Sequence, residues 1–310
     1  MIVDLLYVLA GLALLVVGGD FLVRGAVALA LRLGVAPVIV GLTVLAFGTS
    51  APELIVSVAA AVGGQPGIAL GNVVGSNIAN ILLILGATAL IAPVHSHDDE
   101  LKVSWRYAVM ASVALIVLCF AGPLVWWHGV VLLAGLGLSL AAQIRRARRG
   151  QGDAPELEMQ RDSPRRIAIW LLIGLLALPV GARLLVDGAS DIARDFGISE
   201  TVIGLTLVAI GTSLPELAAS VASALRGRAD MALGNVIGSN LFNILAILGI
   251  TAFFGPLEVP GQMLRFDLWF MLACTIALGP FLLRHIPVGR VAGGVLVAVY
   301  AGYTAWLLAS

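Results

Sequence analysis

Ten blocks of mainly apolar residues, most of them about 20 residues or longer, occupy nearly all of this 310-residue chain. They fall at about 4–30, 38–63, 67–91, 103–121, 124–144, 167–193, 200–225, 230–254, 266–283 and 287–308. A block of that length crosses a hydrocarbon core of about 30 Å as a helix. Backbone groups in lipid must be satisfied internally, and the alternating pattern of a β-barrel is absent, so a helical bundle follows. Charge agrees. Only 12% of residues are charged against 60% hydrophobic, with a mean hydropathy of +1.05, and a soluble domain carries roughly twice that charge. The expected fold class is an all-α polytopic membrane protein of about ten transmembrane helices.

The first block carries Asp4 as its one early charge and has no small-residue cleavage site, so it reads as a retained span and not as a signal peptide. Zero net charge suggests no nucleic-acid partner. Cys119 and Cys274 stand alone in apolar segments and read as packing residues.

Orientation comes from Lys and Arg. The polar stretch 145–166 holds Arg145, Arg146, Arg148, Arg149, Arg161, Arg165 and Arg166, which places it in the cytoplasm by the positive-inside rule. Five spans on either side then put both termini outside a cell or inner membrane. Lys102, Arg106, Arg226, Arg228, Arg284 and Arg290 fall inside under that topology, with Arg194 and Arg265 outside. The stretch itself reads as a flexible linker.

The chain also repeats itself. Residues 41–57, GLTVLAFGTSAPELIVS, match 204–220, GLTLVAIGTSLPELAAS, at 11 of 17 positions. Residues 69–86, ALGNVVGSNIANILLILG, match 232–249, ALGNVIGSNLFNILAILG, at 14 of 18. Residue 41 pairs with 204 and 69 with 232, one ungapped offset of 163. Matched Gly, Thr, Ser, Pro, Glu and Asn are not a product of low complexity. The expected organisation is a first five-helix repeat over 1–144 (duplicated motif 41–86), a linker over 145–166, and a second repeat over 167–310 (motif 204–249). An odd number of helices per repeat makes the repeats inverted, an architecture that places an ion site near the midplane where the halves meet.

Glu53 lies mid-span and Glu216 lies at the matching depth. A carboxylate at the bilayer centre costs at least about 2.5–3.5 kcal/mol, so a symmetric pair points to a ligand role. Thr49, Glu53 and Ser57 share a helix face at spacing four, as do Asn72, Ser76 and Asn80 on the next helix. The second half repeats both rows as Thr212, Glu216, Ser220 and Asn235, Ser239, Asn243. No His or Cys is among them, and hard oxygen ligands suit sodium, calcium or magnesium better than zinc or copper. Pro52 and Pro215 precede the glutamates, so the Gly48 and Gly211 carbonyls lose a partner, and the nearby carbonyls of Ala46, Thr49, Ala209 and Thr212 are expected to loosen. Such carbonyls serve as cation ligands in broken membrane helices. Two carboxylates and two carbonyls approach the roughly 6–8 oxygens of calcium, whereas magnesium prefers a stricter octahedron.

Other features have plainer readings. Asp20 with Arg24, and Arg183 with Asp187, read as intrahelical pairs, although position 20 maps onto 183 and so changes sign between the halves. His95 to Glu100 reads as a solvated loop, with a metal site as the alternative. Trp105, Trp126, Trp127 and Trp269 sit near span ends like interfacial anchors. Gly71 with Gly75, and Gly234 with Gly238, form GxxxG packing patterns.

GTSAPEL with GNVVGSNIANILLILG, and GTSLPEL with GNVIGSNLFNILAILG, closely resemble the two alpha repeats of the cation/calcium antiporter superfamily, in its sodium/calcium exchanger branch. The resemblance covers nearly the whole chain and implies up to four cation positions between helices 2, 3, 7 and 8. By that likeness, Glu53, Glu216 and the carbonyls of Thr49 and Thr212 would hold calcium. Sodium would use these groups plus Ser50, Ser76, Ser213, Ser239 and the carbonyls of Ala46 and Ala209, with Asn80 and Asn243 lining the central position. Helices 1 and 6 would slide across the core to alternate access. Several relatives carry Asp where this chain has Asn243, so potassium cotransport is not expected here. Proton coupling stays open through the two glutamates, although the proton-coupled branch usually has a different motif around them.

The expected function is therefore antiport of calcium for sodium, with no cofactor, by a monomer in a lipid bilayer. Protons, or another divalent cation, are the alternative exchange partners, and a passive cation pore is a remote one. No Ser/His pair, Asp dyad or HExxH motif supports an intramembrane enzyme.

Overall fold

A computed structural model describes residues 2–95, 98–149, 162–197 and 209–309. Helix α1 spans Ile2–Leu33, and α2 is broken into Pro37–Thr49 and Ala51–Val62 with a 44° bend. Then follow α3 (Pro66–Ile91), α4 (Asp99–Phe120), α5 (Trp126–Arg149) and α6 (Pro164–Asp195). Helix α7 is described as Ala209–Gly211 and Leu214–Leu225, followed by α8 (Ala229–Thr251), α9 (Met263–Leu283) and α10 (Arg290–Ala309). Eight of these helices are long and apolar enough to cross a membrane unaided, and the broken α2 makes nine. The start of α7 expected at 200–208, most of the linker, Ser96 and His97 lie outside the described residues.

The helices sort by burial. Most of α8 (89%) and α3 (72%) is enclosed, whereas α10 is 6% buried and turns Val291 and Val295 outward. A helix apolar all round and scarcely buried by protein needs lipid as its solvent. The two halves meet along α3 and α8, with the second part of α2 and of α7 packed against them.

The inversion of the repeats is visible in how α1 meets α6. Gly11 faces Leu185, Gly18 faces Leu178 and Gly25 faces Leu171, so the numbers run in opposite directions and the pair is antiparallel. A methyl group on Gly18 would lie 2.9 Å from the Ala177 Cβ, and one on its repeat mate Gly181 would lie 2.9 Å from the Leu14 Cβ. Only glycine lets the two backbones approach this closely. Isolated antiparallel bridges also recur on opposite faces: Val94 pairs with Val288, and Leu257, the repeat mate of Val94, pairs with Leu124.

Two local expectations change. Trp105 is not a lipid-facing anchor: its indole N–H donates to the Thr275 carbonyl at 2.7 Å and its ring fills the space beside Gly279. Trp126, Trp127 and Trp269 are exposed as expected. In the segment His95 to Glu100, Asp98 caps α4 by accepting from the Glu100 amide at 2.9 Å. The Asp98 carboxyl is held above the usual carboxylate range, mainly because it is partly desolvated.

Candidate cation site

The site begins with two helix breaks. Pro52 has no N–H to continue the ladder, and the chain turns at Ser50 (φ −83°, ψ 5°) just before it. Pro215 repeats this at Ser213 (φ −88°, ψ 1°). Each break leaves Glu53 or Glu216 in the first turn of a new helix, where the helix dipole favours negative charge. On the neighbouring helices, π-helical turns at Asn80–Ile84 and Asn243–Ile247 interrupt α3 and α8 at matching depth. Single π turns inside α-helices are common at functional sites.

Glu53 and Glu216 are each 1% exposed and lie close enough to interact electrostatically. The Ser50 hydroxyl donates to Glu216 Oε1 at 3.0 Å, so the first repeat reaches directly onto the carboxylate of the second. Glu53 Oε2 and Glu216 Oε2 are buried with no hydrogen-bond partner in the protein, as are Ser239 Oγ, Asn80 Oδ1 and Asn243 Oδ1. Other buried atoms such as Thr88 Oγ1 and Ser104 Oγ also lack a partner, but a carboxylate oxygen left so deep inside is far more costly than a hydroxyl and calls for an explanation. A cation supplies one. No group of three or more His, Cys, Asp or Glu that could hold a metal occurs among the described residues, so the donor set here is two carboxylates plus neutral oxygens.

Asparagines fasten these elements together. Asn72 donates to the Glu53 carbonyl at 3.1 Å and to the Ser57 hydroxyl at 2.9 Å. Its repeat mate Asn235 does the same to the Glu216 carbonyl at 3.3 Å and to Ser220 at 3.0 Å, and accepts from Thr49 Oγ1 at 3.3 Å. The Asn72 and Asn235 amide groups thus hold the acidic helices in place. At the centre, Asn77 and Asn240 donate to each other's main-chain carbonyl at 3.5 and 3.2 Å. Their side-chain oxygens accept from Asn243 at 3.1 Å and from Asn80 at 2.9 Å. Residues 77 and 240 differ by the repeat offset, so the pseudo-two-fold axis passes between them.

Access is not symmetric. A cavity of about 420 Å³ runs between α2, α6 and α7, from Arg183, Asp187, Ile55 and Val56 at its mouth to Pro52 and Thr212 at its floor. This mouth is on the side of the membrane that holds the two termini. The equivalent space on the linker side is filled. There, a methyl on Gly19 would lie 3.0 Å from the Ala218 carbonyl, and Leu22, Val23 and Ala219 join one buried cluster. The Arg226 guanidinium, whose Nε lies 2.7 Å from Asp20 Oδ1, closes the rim, while Asp20 Oδ2 also holds Arg24 at 2.9 Å.

Of the residues expected from sequence, Thr49, Ser50, Glu53, Ser76, Asn80, Ser213, Glu216, Ser239 and Asn243 are all buried at the meeting of the halves. Thr212 is half-buried and borders the cavity. The Ala46 carbonyl is less loosened than expected, because it still accepts the Ser50 amide at 3.0 Å. In the second half the Ser213 amide bonds to Ile210 instead, and the side chain of Ala209 lies outside the described residues. Asn77, Asn240 and Arg226 were not expected to act at or around the site. The duplicated Ser-Asn pair of each GSN motif was the available signal for the asparagines.

Three comparisons with known proteins agree. The sequence profile described as "Sodium/calcium exchanger protein" matches residues 3–145 and 166–309. Similar proteins include the sodium/calcium exchanger MaX1 of Methanosarcina acetivorans, 34% identical with 97% of each chain covered. The putative antiporter CaxA of Alkalimonas amylolytica is 39% identical over the whole of both chains. Among solved structures, the sodium-calcium exchanger NCX_Mj soaked with zero Na+ and Ca2+ superposes with a TM-score of 0.84 at 35% identity, covering 99% of each chain.

Proposed function

The chain belongs to the sodium/calcium exchanger family of cation antiporters, and from that premise we propose that it exchanges calcium for sodium by alternating access at the Glu53–Glu216 site. One observation carries this reading. Two buried carboxylates, one from each repeat, lie within electrostatic reach of each other with their Oε2 atoms unpartnered among neutral oxygens.

The chemistry follows from charge. An empty pair leaves a −2 charge in a medium where each unpaired ion costs several kcal/mol. A calcium ion cancels that charge and takes oxygen ligands in flexible geometry. Sodium ions entering the same carboxylates and the hydroxyls of Ser50, Ser76, Ser213 and Ser239 would displace it. Because both substrates compete for one charge pair, a loaded site can cross between faces more readily than an empty one, which is what obligatory exchange requires. The carbonyls of Thr49, Thr212, Ala46 and Ala209, with Asn80 and Asn243, complete the proposed ligand set.

On the charge distribution, the linker side is cytoplasmic and the cavity opens outward, in a monomer embedded in a cell membrane. The test is calcium-45 uptake into proteoliposomes under an outward sodium gradient, with a pH gradient imposed separately. Sodium-driven uptake lost in Glu53→Gln and Glu216→Gln is expected. Uptake driven by the pH gradient alone would replace sodium with protons, and uptake unaffected by either substitution would remove the site.

A further inference from the structure

We propose that Asn77 and Asn240 are positioning residues that force Asn80 and Asn243 to present a carbonyl oxygen, and not an amide N–H, to the transported ion; this rests on the exchange reading above. The argument is one of donors and acceptors. An asparagine amide has two chemically opposite ends of nearly equal shape, so its neighbours decide which end faces where. The main-chain carbonyls of Asn77 and Asn240 can only accept. Each therefore fixes the NH₂ end of the other residue's side chain, at 3.2 and 3.5 Å. The remaining NH₂ capacity of Asn77 is taken by Met271 Sδ at 3.5 Å.

With those ends fixed, the oxygens of Asn77 and Asn240 must face the other way, where they can only accept. The groups they meet are the amides of Asn243 at 3.1 Å and Asn80 at 2.9 Å. Those amides must turn their NH₂ ends inward to the clasp. Their oxygens are left over, buried and without a protein partner. Asn80 lies one turn beyond Ser76 and Asn243 one turn beyond Ser239, on the faces that carry the other proposed ligands. A flipped Asn80 or Asn243 would set two oxygens against each other and aim an N–H dipole at a cation.

The wiring is crossed. Asn77 of α3 orients Asn243 of α8, and Asn240 of α8 orients Asn80 of α3. Each repeat sets the polarity of the ligand that the other repeat provides.

Crossed wiring makes a test that a merely structural role would fail. Calcium-45 uptake by reconstituted full-length protein is measured over a range of calcium concentrations, with KM read separately from maximal rate. Asn77→Ala and Asn243→Ala should each raise KM about tenfold, the cost of losing or reversing one ligand dipole. The double variant should be no worse than Asn243→Ala alone, because Asn77 acts through Asn243. Asn77→Ala combined with Asn80→Ala should instead multiply the two effects. If Asn77→Ala does not fold, the mirror cycle applies: Asn240 should couple to Asn80 and not to Asn243. Additive effects within the crossed pairs, or equal coupling to both partners, would overturn the proposal. A wild-type protein without sodium-driven uptake would instead overturn the exchange reading.

Discussion

Asp20 of α1 accepts the guanidinium of Arg226 at the end of α7, and the inverted repeat supplies no image of this pair. The positions that match them, 183 and 63, hold Arg and Gly. Arg183 turns instead to Asp187 of its own helix, at 3.6 Å, on the rim of the open cavity. The closed face is latched by an ion pair between two helices, whereas the Arg183–Asp187 pair at the open rim lies within one helix.

Breaking the latch should favour opening on the linker side. An ion pair this accessible contributes about 0.2–1 kcal/mol, so Asp20→Asn should speed modification of Ala222→Cys from that side by a factor of about 1.4 to 5. Both native cysteines are buried, which keeps the background low. Unchanged labelling by a membrane-impermeant thiol reagent would rule the latch out.

Calcium should stabilise the folded protein. At a hundredfold excess over Kd the gain is about 2.7 kcal/mol, a rise of about 4 °C in the unfolding midpoint in detergent. Glu53→Gln should abolish that rise. The ion-free Glu53→Gln protein should melt at or above the wild-type temperature, since one of two neighbouring like charges is gone. A Glu53→Gln protein that kept the full calcium response would place the ion elsewhere.

The α1–α6 contact should be intolerant of added volume. A methyl at Gly181 would meet Leu14 Cβ at 2.9 Å and backbone atoms of Gly11 and Leu15 at 3.0 Å. Gly181→Ala is therefore expected to cost about 1–3 kcal/mol. Gly137→Ala on α5, where a methyl would meet nothing within 4 Å beyond its own helix backbone, should leave the midpoint unchanged or higher. Equal midpoints for the two variants would show that the contact relaxes without strain.

Asn235 should matter more than Asn72, although the repeat makes them equivalent. Both bind the acidic helix of their own half, but Asn235 is fully buried and also accepts from Thr49 across the interface. Removing a buried hydrogen-bonding group costs about 1–3 kcal/mol. Asn235→Ala should lie at the upper end and Asn72→Ala at the lower, read from denaturation midpoints. The reverse order would contradict the asymmetry.

Periodicity and duplication made much of this legible in the sequence. The repeat located Glu53 and Glu216, and a spacing of four put Ser76 and Asn80 on one face. Asn77 escaped because it lies about 100° around the helix from that face, and its purpose depends on α8, 163 residues away. The π turns escaped because their residues, NILLI and NILAI, suit an ordinary α-helix equally well. Arg226 looked like a topology signal, since nothing local shows that α1 returns to it. Trp105 followed a composition rule until Gly279 opposite it left room for an indole. The glycines at 11, 18 and 25 and at 174, 181 and 188 were a visible signal, spaced by seven in both halves.

Those glycines have a mechanical consequence. At each of them the neighbouring helix presses backbone or side-chain atoms into the gap, so α1 and α6 are locked together along their length and a tilt of one should drag its twin. Each borders a different side of the bundle, so, if the pair moves as one body, widening one entrance would narrow the other. A continuous water-filled route from face to face would then require the twins to separate, so the joint itself, and not only the ion, would resist leakage.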